Sequence, residues 1–106
     1  MKGKKSIYRV DIDDTILFSA YDEKSEYGYT LIGKNVELIE KINKLYDEGN
    51  TIIIDTARHW NHLPITKIQL EQACVKYHTL TMGQPYADFI INDKSVTPED
   101  FLEVEF

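Results

Sequence analysis

The sequence predicts an α/β domain built on a mainly parallel sheet, and three observations carry that prediction. Tyr8, Val10 and Ile12 alternate with polar residues, as in a strand with one buried face. Residues 51–56 form a mainly apolar run, which is typical of a strand buried on both faces inside a parallel sheet. A helical pattern over 35–48 separates the two, and strand, helix, strand in this order predicts a βαβ unit.

Length and composition indicate a single domain, residues 1–106, with one core. Acidic residues outnumber basic ones by 18 to 12, and the net charge of -6 argues against nucleic acid or an anionic membrane as a partner. Cys74 is the only cysteine, so no internal disulfide is possible. The basic amino terminus lacks the apolar run of a signal peptide, and we expect a cytoplasmic protein.

The remaining elements follow in order. Residues 16–33 show no helical period and predict a flap or short hairpin, in which Tyr27, Tyr29 and Leu31 alternate; a lid and an ordinary surface loop are both open. Asn35 is the predicted N-cap of a helix that runs to about Glu48. The later predictions are a helix from Pro64 to about Tyr77, strands over 79–82 and 89–91, a helical turn opened by Thr97-Pro98, and a small edge strand over 104–106.

Polar side chains follow three of the predicted strands. Asp11 and Asp13 end the first, Thr56 and Arg58 follow the second, and Asp93 follows the fourth. Because ligands bind beyond the carboxyl ends of parallel strands, we expect these groups to form one site at one edge of the sheet.

Asp11, Asp13 and Asp14 place three carboxylates within four positions, and Thr15 follows them. Like charges repel, so a divalent cation or a phosphoryl group would explain the arrangement. A turn rich in aspartate accounts for Asp13 and Asp14. It leaves Asp11, still within the strand, unexplained, which favours a functional site.

These motifs resemble those of the haloacid dehalogenase (HAD) superfamily of phosphotransferases. Residues 11–15 (Asp-Ile-Asp-Asp-Thr) match its first motif, 52–56 look like its apolar second motif ending in Thr, and 90–93 resemble its acidic fourth motif. Residues 56–59 together with 83–88 are similar to small, capless phosphatases often associated with capsular polysaccharide or sugar-phosphate metabolism. The resemblance implies a three-layer, Rossmann-like fold with a small flap and no cap domain.

The resemblance also implies a magnesium-dependent phosphatase that acts on a small phosphorylated metabolite. Asp11 would be the nucleophile that forms an aspartyl-phosphate, and Asp13 the general acid and base. Magnesium would be held by the Asp11 carboxylate, the Asp13 backbone carbonyl and Asp93. Thr56 would donate a hydrogen bond to a phosphoryl oxygen, and Thr15 would fix the substrate-binding loop more than touch the substrate.

Two positions depart from the family pattern. Gln84 stands where the related phosphatases have a lysine beside the phosphoryl group, and Asn92 replaces the first acid of the fourth motif. These changes remove charges of opposite sign and so form a candidate compensated pair. The alternative suppliers of the missing positive charge are Lys67, Lys76 and Lys94.

Other polar residues are expected around the entrance to the site. Arg58 is a candidate for binding a second anionic group of the substrate, and its alternative is a surface ion pair with Asp55 or an acid of the flap. His59, Trp60 and His62 are expected to line the entrance rather than to bind a metal. Without a cap domain, the flap, the 58–63 turn or a neighbouring subunit of a homo-oligomer would define the pocket.

Two other readings fit part of the pattern. One is a degenerate phosphate- or metal-binding module with weak or no catalysis, suggested by Gln84 and Asn92. The other is a response-regulator receiver, in which Asp55 would accept the phosphoryl group. Against the receiver, a long glycine-containing segment follows the first acids where a helix is expected.

Overall fold

The computed structural model describes residues 5–24 and 28–103, and a parallel sheet lies at its centre. It confirms a small α/β architecture with a three-stranded, parallel sheet, an antiparallel strand pair and three helices among the described residues. In chain order the elements are β1 (Ile7–Asp11), β2 (Leu17–Tyr21), β3 (Tyr29–Lys34), α1 (Val36–Asp47), β4 (Thr51–Asp55), a 3-10 turn (Trp60–His62), α2 (Leu63–Gln72), β5 (Thr79–Thr81) and α3 (Pro98–Glu103).

The parallel sheet has the order β1-β4-β5. Tyr8 is paired with Ile52, and Val10 with Ile54, so alternate residues of β1 and β4 point into the core. Ile52 and Ile54 are fully buried, whereas Ile53 between them is only half-buried. The prediction of a strand buried on both faces is therefore wrong for this structure, because the second face of the sheet is only partly covered.

Helix α1 follows its prediction closely. The Asn35 side chain accepts a hydrogen bond from the Leu38 amide at 3.2 Å and caps the first turn. Gly49, at φ +95°, reverses the chain after the helix. The buried face of α1 packs on the sheet and consists of Leu38, Ile39, Ile42 and Leu45.

The flap predicted over 16–33 is an antiparallel hairpin of β2 and β3. It begins immediately after the acidic turn, and Asp13 forms an isolated bridge with Leu17 at its base. Tyr27, one of the alternating residues that predicted it, lies outside the described residues.

Helix α2 is shorter than predicted and turns a different face inward. It ends at Gln72, five residues before Tyr77, and Ile68, which the sequence predicts in an apolar stripe with Ala73, Cys74 and Tyr77, is exposed. Thr66, Gln69 and Leu70 are buried instead. Two of these three are polar, and the reason lies in the site described below.

The strand predicted over Phe89–Ile91 is not formed. Residues 82–97 have no regular structure, and the side chains of Phe89 and Ile91 are 85% and 98% exposed. The predicted turn at 97–98 is confirmed, because α3 begins at Pro98 and buries Phe101 against the core. The edge strand predicted over 104–106 lies outside the described residues. Within the described ranges, no helix is both long and apolar enough to cross a membrane.

Candidate active site

The carboxyl ends of β1 and β4 lie side by side, with Asp11 and Asp55 in register. After β1, the carbonyl of Ile12 accepts the amides of residues 15–17 at 2.9–3.1 Å, which closes a tight turn. Asp14 has φ +59° within this turn, a left-handed conformation that aspartate tolerates. The turn presents Asp13 beside Asp11.

Asp11 is an exposed carboxylate whose Oδ1 accepts the Ile12 amide at 2.9 Å. Partial burial raises its pKa above 3.8, and the negative charges of Asp13, Asp55 and Asp14 raise it further, while the Ile12 hydrogen bond lowers it. Concentrated negative charge at a strand end is therefore a property of the folded protein. A cation or an electrophile placed here would relieve it.

Asp13 is held by a two-point contact with Arg58. Nε of Arg58 donates to Oδ2 of Asp13 at 3.0 Å, and Nη2 donates to Oδ1 at 2.8 Å. The guanidinium is fully buried, whereas the Asp13 side chain is 36% exposed. The paired geometry is the strong form of this interaction and fixes the carboxylate plane.

The other N–H groups of Arg58 also donate hydrogen bonds to protein groups. Nη1 donates to Thr66 Oγ1 at 3.1 Å and to Gln69 Oε1 at 2.8 Å, and Nη2 donates to Ser19 Oγ at 3.2 Å. The ring of Tyr29 stacks on the guanidinium at 3.9 Å. These contacts explain why α2 buries polar residues.

The structure therefore corrects both expectations for Arg58. Its five N–H groups all have protein partners and it is 1% exposed, so none remains for an anionic substrate group. The expected surface pair with Asp55 is not formed, because Asp55 accepts from Nε of Arg9 at 2.5 Å. Sequence inspection missed Ser19, Thr66 and Gln69, although a threonine and a glutamine three positions apart on one helix face were a usable signal.

Thr56 and Gln84 meet just beyond the end of β4 through a backbone hydrogen bond. Thr56 is fully buried, and its Oγ1 accepts the Arg58 amide at 3.1 Å. The Gln84 amide donates to the Thr56 carbonyl at 2.9 Å, and the Gly83 amide donates to the Arg58 carbonyl at 2.7 Å. Thr15 lies within the acidic turn, where its carbonyl accepts Nδ2 of Asn35 at 3.4 Å.

The flap and the 58–63 turn pack on each other beside this edge. His62 lies edge-on to Tyr29 and Tyr21, with ring centroids 5.1 and 6.0 Å away. Trp60 is exposed next to Gly83, and His59 pairs with Asn61 at 2.9 Å. The aromatic and histidine side chains of this turn thus lie against the flap and beside Gly83, and their lining of an entrance stays a prediction.

Asp93 is not brought to the other acids within one chain. Within the part of the chain that the structure describes, no three His, Cys, Asp or Glu side chains are grouped so as to hold a metal ion. Asp93 instead lies on the exposed 82–97 segment, next to Asn92, which accepts the Lys94 amide at 2.8 Å.

The lysines proposed to replace the missing charge are also accounted for in part. Nζ of Lys76 pairs with Asp47 at 2.7 Å. Asp47 ends α1, just before the amino end of β4. Lys76 therefore lies near the amino ends of the strands, whereas Asp11 lies at their carboxyl ends. Lys67 is exposed on α2, and Lys94 is exposed on the 82–97 segment.

Comparison with known proteins gives a fold relative but no family. No protein-family model and no curated protein matches the chain. The crystal structure of a target protein from Vibrio cholerae superposes with a TM-score of 0.78 at 25% sequence identity, over 96% of this chain and 90% of that one. The α/β fold is thus shared with an experimentally determined structure.

Proposed function

We propose that this protein is a magnesium-dependent phosphomonoester hydrolase of the HAD type, acting on a small phosphorylated metabolite through an aspartyl-phosphate. The observation that best supports the proposal is the meeting of Asp11, Asp13 and Thr56 at the ends of neighbouring parallel strands. Gln84 is tied to the same edge through the Thr56 carbonyl. An exposed carboxylate, a second acid and a hydroxyl around one point are what stepwise phosphoryl transfer requires.

Asp11 is the nucleophile in this mechanism. The Ile12 amide holds Oδ1, which leaves Oδ2 to attack phosphorus. The attack forms an acyl phosphate and breaks the ester P–O bond, and Asp13 supplies a proton to the departing oxygen. Water then attacks the acyl phosphate, Asp13 takes its proton, and inorganic phosphate leaves.

The donor set suits magnesium. Carboxylate and carbonyl oxygens are the ligands that this ion prefers, and the Asp11 carboxylate and the Asp13 backbone carbonyl would supply two of them. Burial raises the pKa of Asp11, and the nearby charges of Asp13, Asp55 and Asp14 raise it further; a dication would offset the repulsion among these carboxylates. Bound there, magnesium would neutralise phosphoryl oxygens as negative charge develops.

Arg58 is a positioning residue in this proposal. It fixes the orientation of Asp13 and is itself fixed by α2, the flap and the Tyr29 ring. Substrate specificity then falls to groups at the entrance with free surface, above all Trp60 and the flap.

One observation favours the second candidate, a phosphate- or metal-binding module with little catalysis. Both oxygens of Asp13 accept hydrogen bonds from Arg58, so only the lone pairs that these bonds leave free can take a proton. Gln84 and Asn92 add to this reading. The receiver reading is disfavoured, because its acceptor, Asp55, is buried and paired with Arg9.

The test is a screen of phosphorylated metabolites with magnesium, comparing wild type with Asp11→Asn. We expect at least one substrate whose hydrolysis needs the metal and disappears in the variant. Phosphate binding by calorimetry without any turnover would favour the second candidate. Equal hydrolysis by both proteins would rule out Asp11 as the nucleophile.

A further inference from the structure

The segment 85–97 carries a strand sequence that nothing in its own chain covers among the described residues. Phe89-Ile90-Ile91 is a run of β-forming residues, yet Ile91 is 98% exposed and Phe89 85%. The molecule is correspondingly long, 48 Å by 29 Å by 21 Å. A contiguous exposed apolar run of this kind marks a surface that is buried in an assembly.

β1 is an edge strand of the parallel sheet among the described residues. This strand pairs with β4 on one side, and no described strand lies on the other. The carbonyl of Ser6 accepts a hydrogen bond from the backbone N–H of Thr51 in β4. Because peptide groups alternate in direction along a strand, those of Ile7, Arg9 and Asp11 face away from β4. An open parallel edge of this length readily accepts another strand.

Among the described residues, the chain's own segment does not pair with that edge. The backbone N–H of Gln84 is bonded to the Thr56 carbonyl, and the five residues from there to Phe89 span at most about 18 Å. A register that sets Asp93 level with Asp11 sets Phe89 level with Ile7, five residues back and three strand spacings across, about 21 Å from Gln84 and beyond that span. A second copy is under no such restriction.

We infer that two copies of this chain exchange the segment 85–97, which we call the arm, and that Phe89–Ile91 of each arm adds to the β1 edge of the other. The exchange is reciprocal and gives a closed, two-fold dimer. Short connecting loops favour domain swapping, and the connection 84–88 is short and anchored at Gln84 by its hydrogen bond to Thr56.

The exchange also completes the acidic site. Asp93 follows the added strand directly and would stand at its carboxyl end, next to Asp11 of the other copy. Each site would then draw Asp11 and Asp13 from one copy and Asp93 from the other. This second part of the inference rests on the proposed function, whereas the exchange of arms does not.

Sedimentation equilibrium tests the exchange without any substrate. We expect twice the monomer mass for wild type and for the control Ile32→Glu, whose side chain is 71% exposed on the flap, and the monomer mass for Ile91→Glu. A monomeric wild type overturns the inference. So does a dimer that Ile91→Glu leaves intact.

Lengthening the connection separates exchange from simple packing of two arms. With a flexible insertion of about ten residues after Asp88, each arm reaches its own β1, and protein refolded at low concentration should be a folded monomer. A dimer that persists after such refolding contradicts the reach argument and the exchange with it.

Manganese titration tests the shared site with a metal readout. Asp11→Asn and Asp93→Asn should each bind Mn²⁺ weakly, whereas the two proteins refolded together should regain about a quarter of the wild-type tight sites, one intact site in each mixed dimer. If the wild type binds Mn²⁺ tightly but the mixed variants regain no tight sites, Asp11 and Asp93 of each site come from the same copy. A dimer that binds no Mn²⁺ leaves the exchange standing and removes the metal site, and with it the proposed function.

Discussion

Arg58 and Asp13 form an ion pair in which the guanidinium is fully buried and all five of its N–H groups have protein partners. Burying a guanidinium costs several kcal/mol, which only good geometry and further hydrogen bonds offset. Here the flap supplies Ser19 and the Tyr29 ring, while α2 supplies Thr66 and Gln69. The same contacts that make the charge tolerable also join the two elements that border the site.

Replacing Arg58 should therefore be far more costly than replacing Arg9, which forms the other described Arg–Asp pair. Arg58→Met removes both hydrogen bonds to Asp13 and leaves the buried Oε1 of Gln69 without its donor, and we expect a loss of about 3–5 kcal/mol in the free energy of unfolding. Arg9 is 60% exposed, and Arg9→Met should lose at most about 1 kcal/mol. Urea denaturation of both variants measures this, and similar losses would contradict the role given to Arg58.

Asp11→Asn should stabilise the metal-free protein at neutral pH. Because the folded-state pKa of Asp11 is raised above 3.8, the folded state binds the proton more tightly than the unfolded state does. Stability is therefore lost as the pH rises from 3.8 through that raised pKa, and the amide removes the loss.

The measurement is the free energy of unfolding of both proteins between pH 3.8 and 7, without divalent ions. The advantage of Asp11→Asn should be small, since Asp11 is exposed, and it should shrink towards the acidic end. Glu40→Gln, on the exposed side of α1, is the control for losing one negative charge. An advantage that grows on acidification would have the wrong sign.

Gln84→Lys should speed the chemical step. The backbone N–H of Gln84 donates to the Thr56 carbonyl, so residue 84 is anchored at this end of the site; Lys76 pairs with Asp47 at the amino end of the sheet and does not supply the missing charge. A well-placed donor in such a site is worth about 3–4 kcal/mol, or roughly a hundred- to thousand-fold in rate, and the native amide already supplies part of that. Single-turnover rates with a good substrate measure the remainder.

The double variant Gln84→Lys, Asn92→Asp tests whether the two departures compensate each other. A faster double than single variant is expected if the new ammonium needs the restored acid. If neither is faster, Lys67→Ala and Lys94→Ala ask whether one of these lysines already fills the role. Unchanged rates in all four variants would favour the binding module over the phosphatase.

At the scale of the elements, the flap depends on how closely it approaches the 58–63 turn. Gly28 has φ +79°, and a Cβ there would lie 2.7 Å from Cε1 of His62. Gly33, on the same hairpin, has no such restriction, because its Cβ would meet Phe18 at an ordinary 3.8 Å. The two glycines are therefore a matched pair.

Gly28→Ala should cost about 1–3 kcal/mol, from the left-handed backbone together with the displaced His62 ring. Gly33→Ala should be neutral or stabilising by up to about 1 kcal/mol, since it restricts the unfolded chain. Thermal denaturation compares the two. Equal effects would mean that the flap does not rest on the turn through Gly28.

Local signals in the sequence sufficed for the elements that depend on local chemistry. Asn35 and Gly49 predicted the two ends of α1, and the alternation around Tyr29 predicted the hairpin. The failures arise where distant groups decide. Helix α2 turns Thr66 and Gln69 inward because Arg58 needs them, and no apolar period could reveal that requirement.

The site was predictable to the same extent and for the same reason. Asp11, Asp13 and Thr56 follow strands, so the parallel register alone brings them to one edge. The role of Arg58 depends on partners spread from Ser19 to Gln69, which only the folded chain assembles. The strand at 89–91 was predicted from composition, but residues 89–91 are exposed and form no strand. A strand forms only where a neighbouring strand is available to pair with it, and composition does not contain that information.

At the scale of the whole molecule, a salt can stabilise this protein in two ways, because the chain has a net charge of -6 and also carries a cluster of acids at one end of the sheet. Any salt screens the general repulsion of an acidic protein, so monovalent ions should already stabilise it slightly. A dication bound at Asp11 does more, because it binds the folded state alone. The two contributions can be separated by comparing salts at matched ionic strength.

Magnesium chloride should therefore raise the Tm of the wild type above the value in sodium chloride of the same ionic strength. A ligand at a hundred times its dissociation constant adds about 2.7 kcal/mol to the free energy of unfolding, and the gain should follow the magnesium concentration logarithmically. Asp11→Asn lacks a principal ligand and should respond to the two salts almost equally, whereas Glu40→Gln should keep the full difference. Chelation with EDTA should return the wild type to its sodium chloride value. If the wild type shows no difference between the salts at any magnesium concentration, the acidic edge binds no dication, and the catalytic proposal loses its metal.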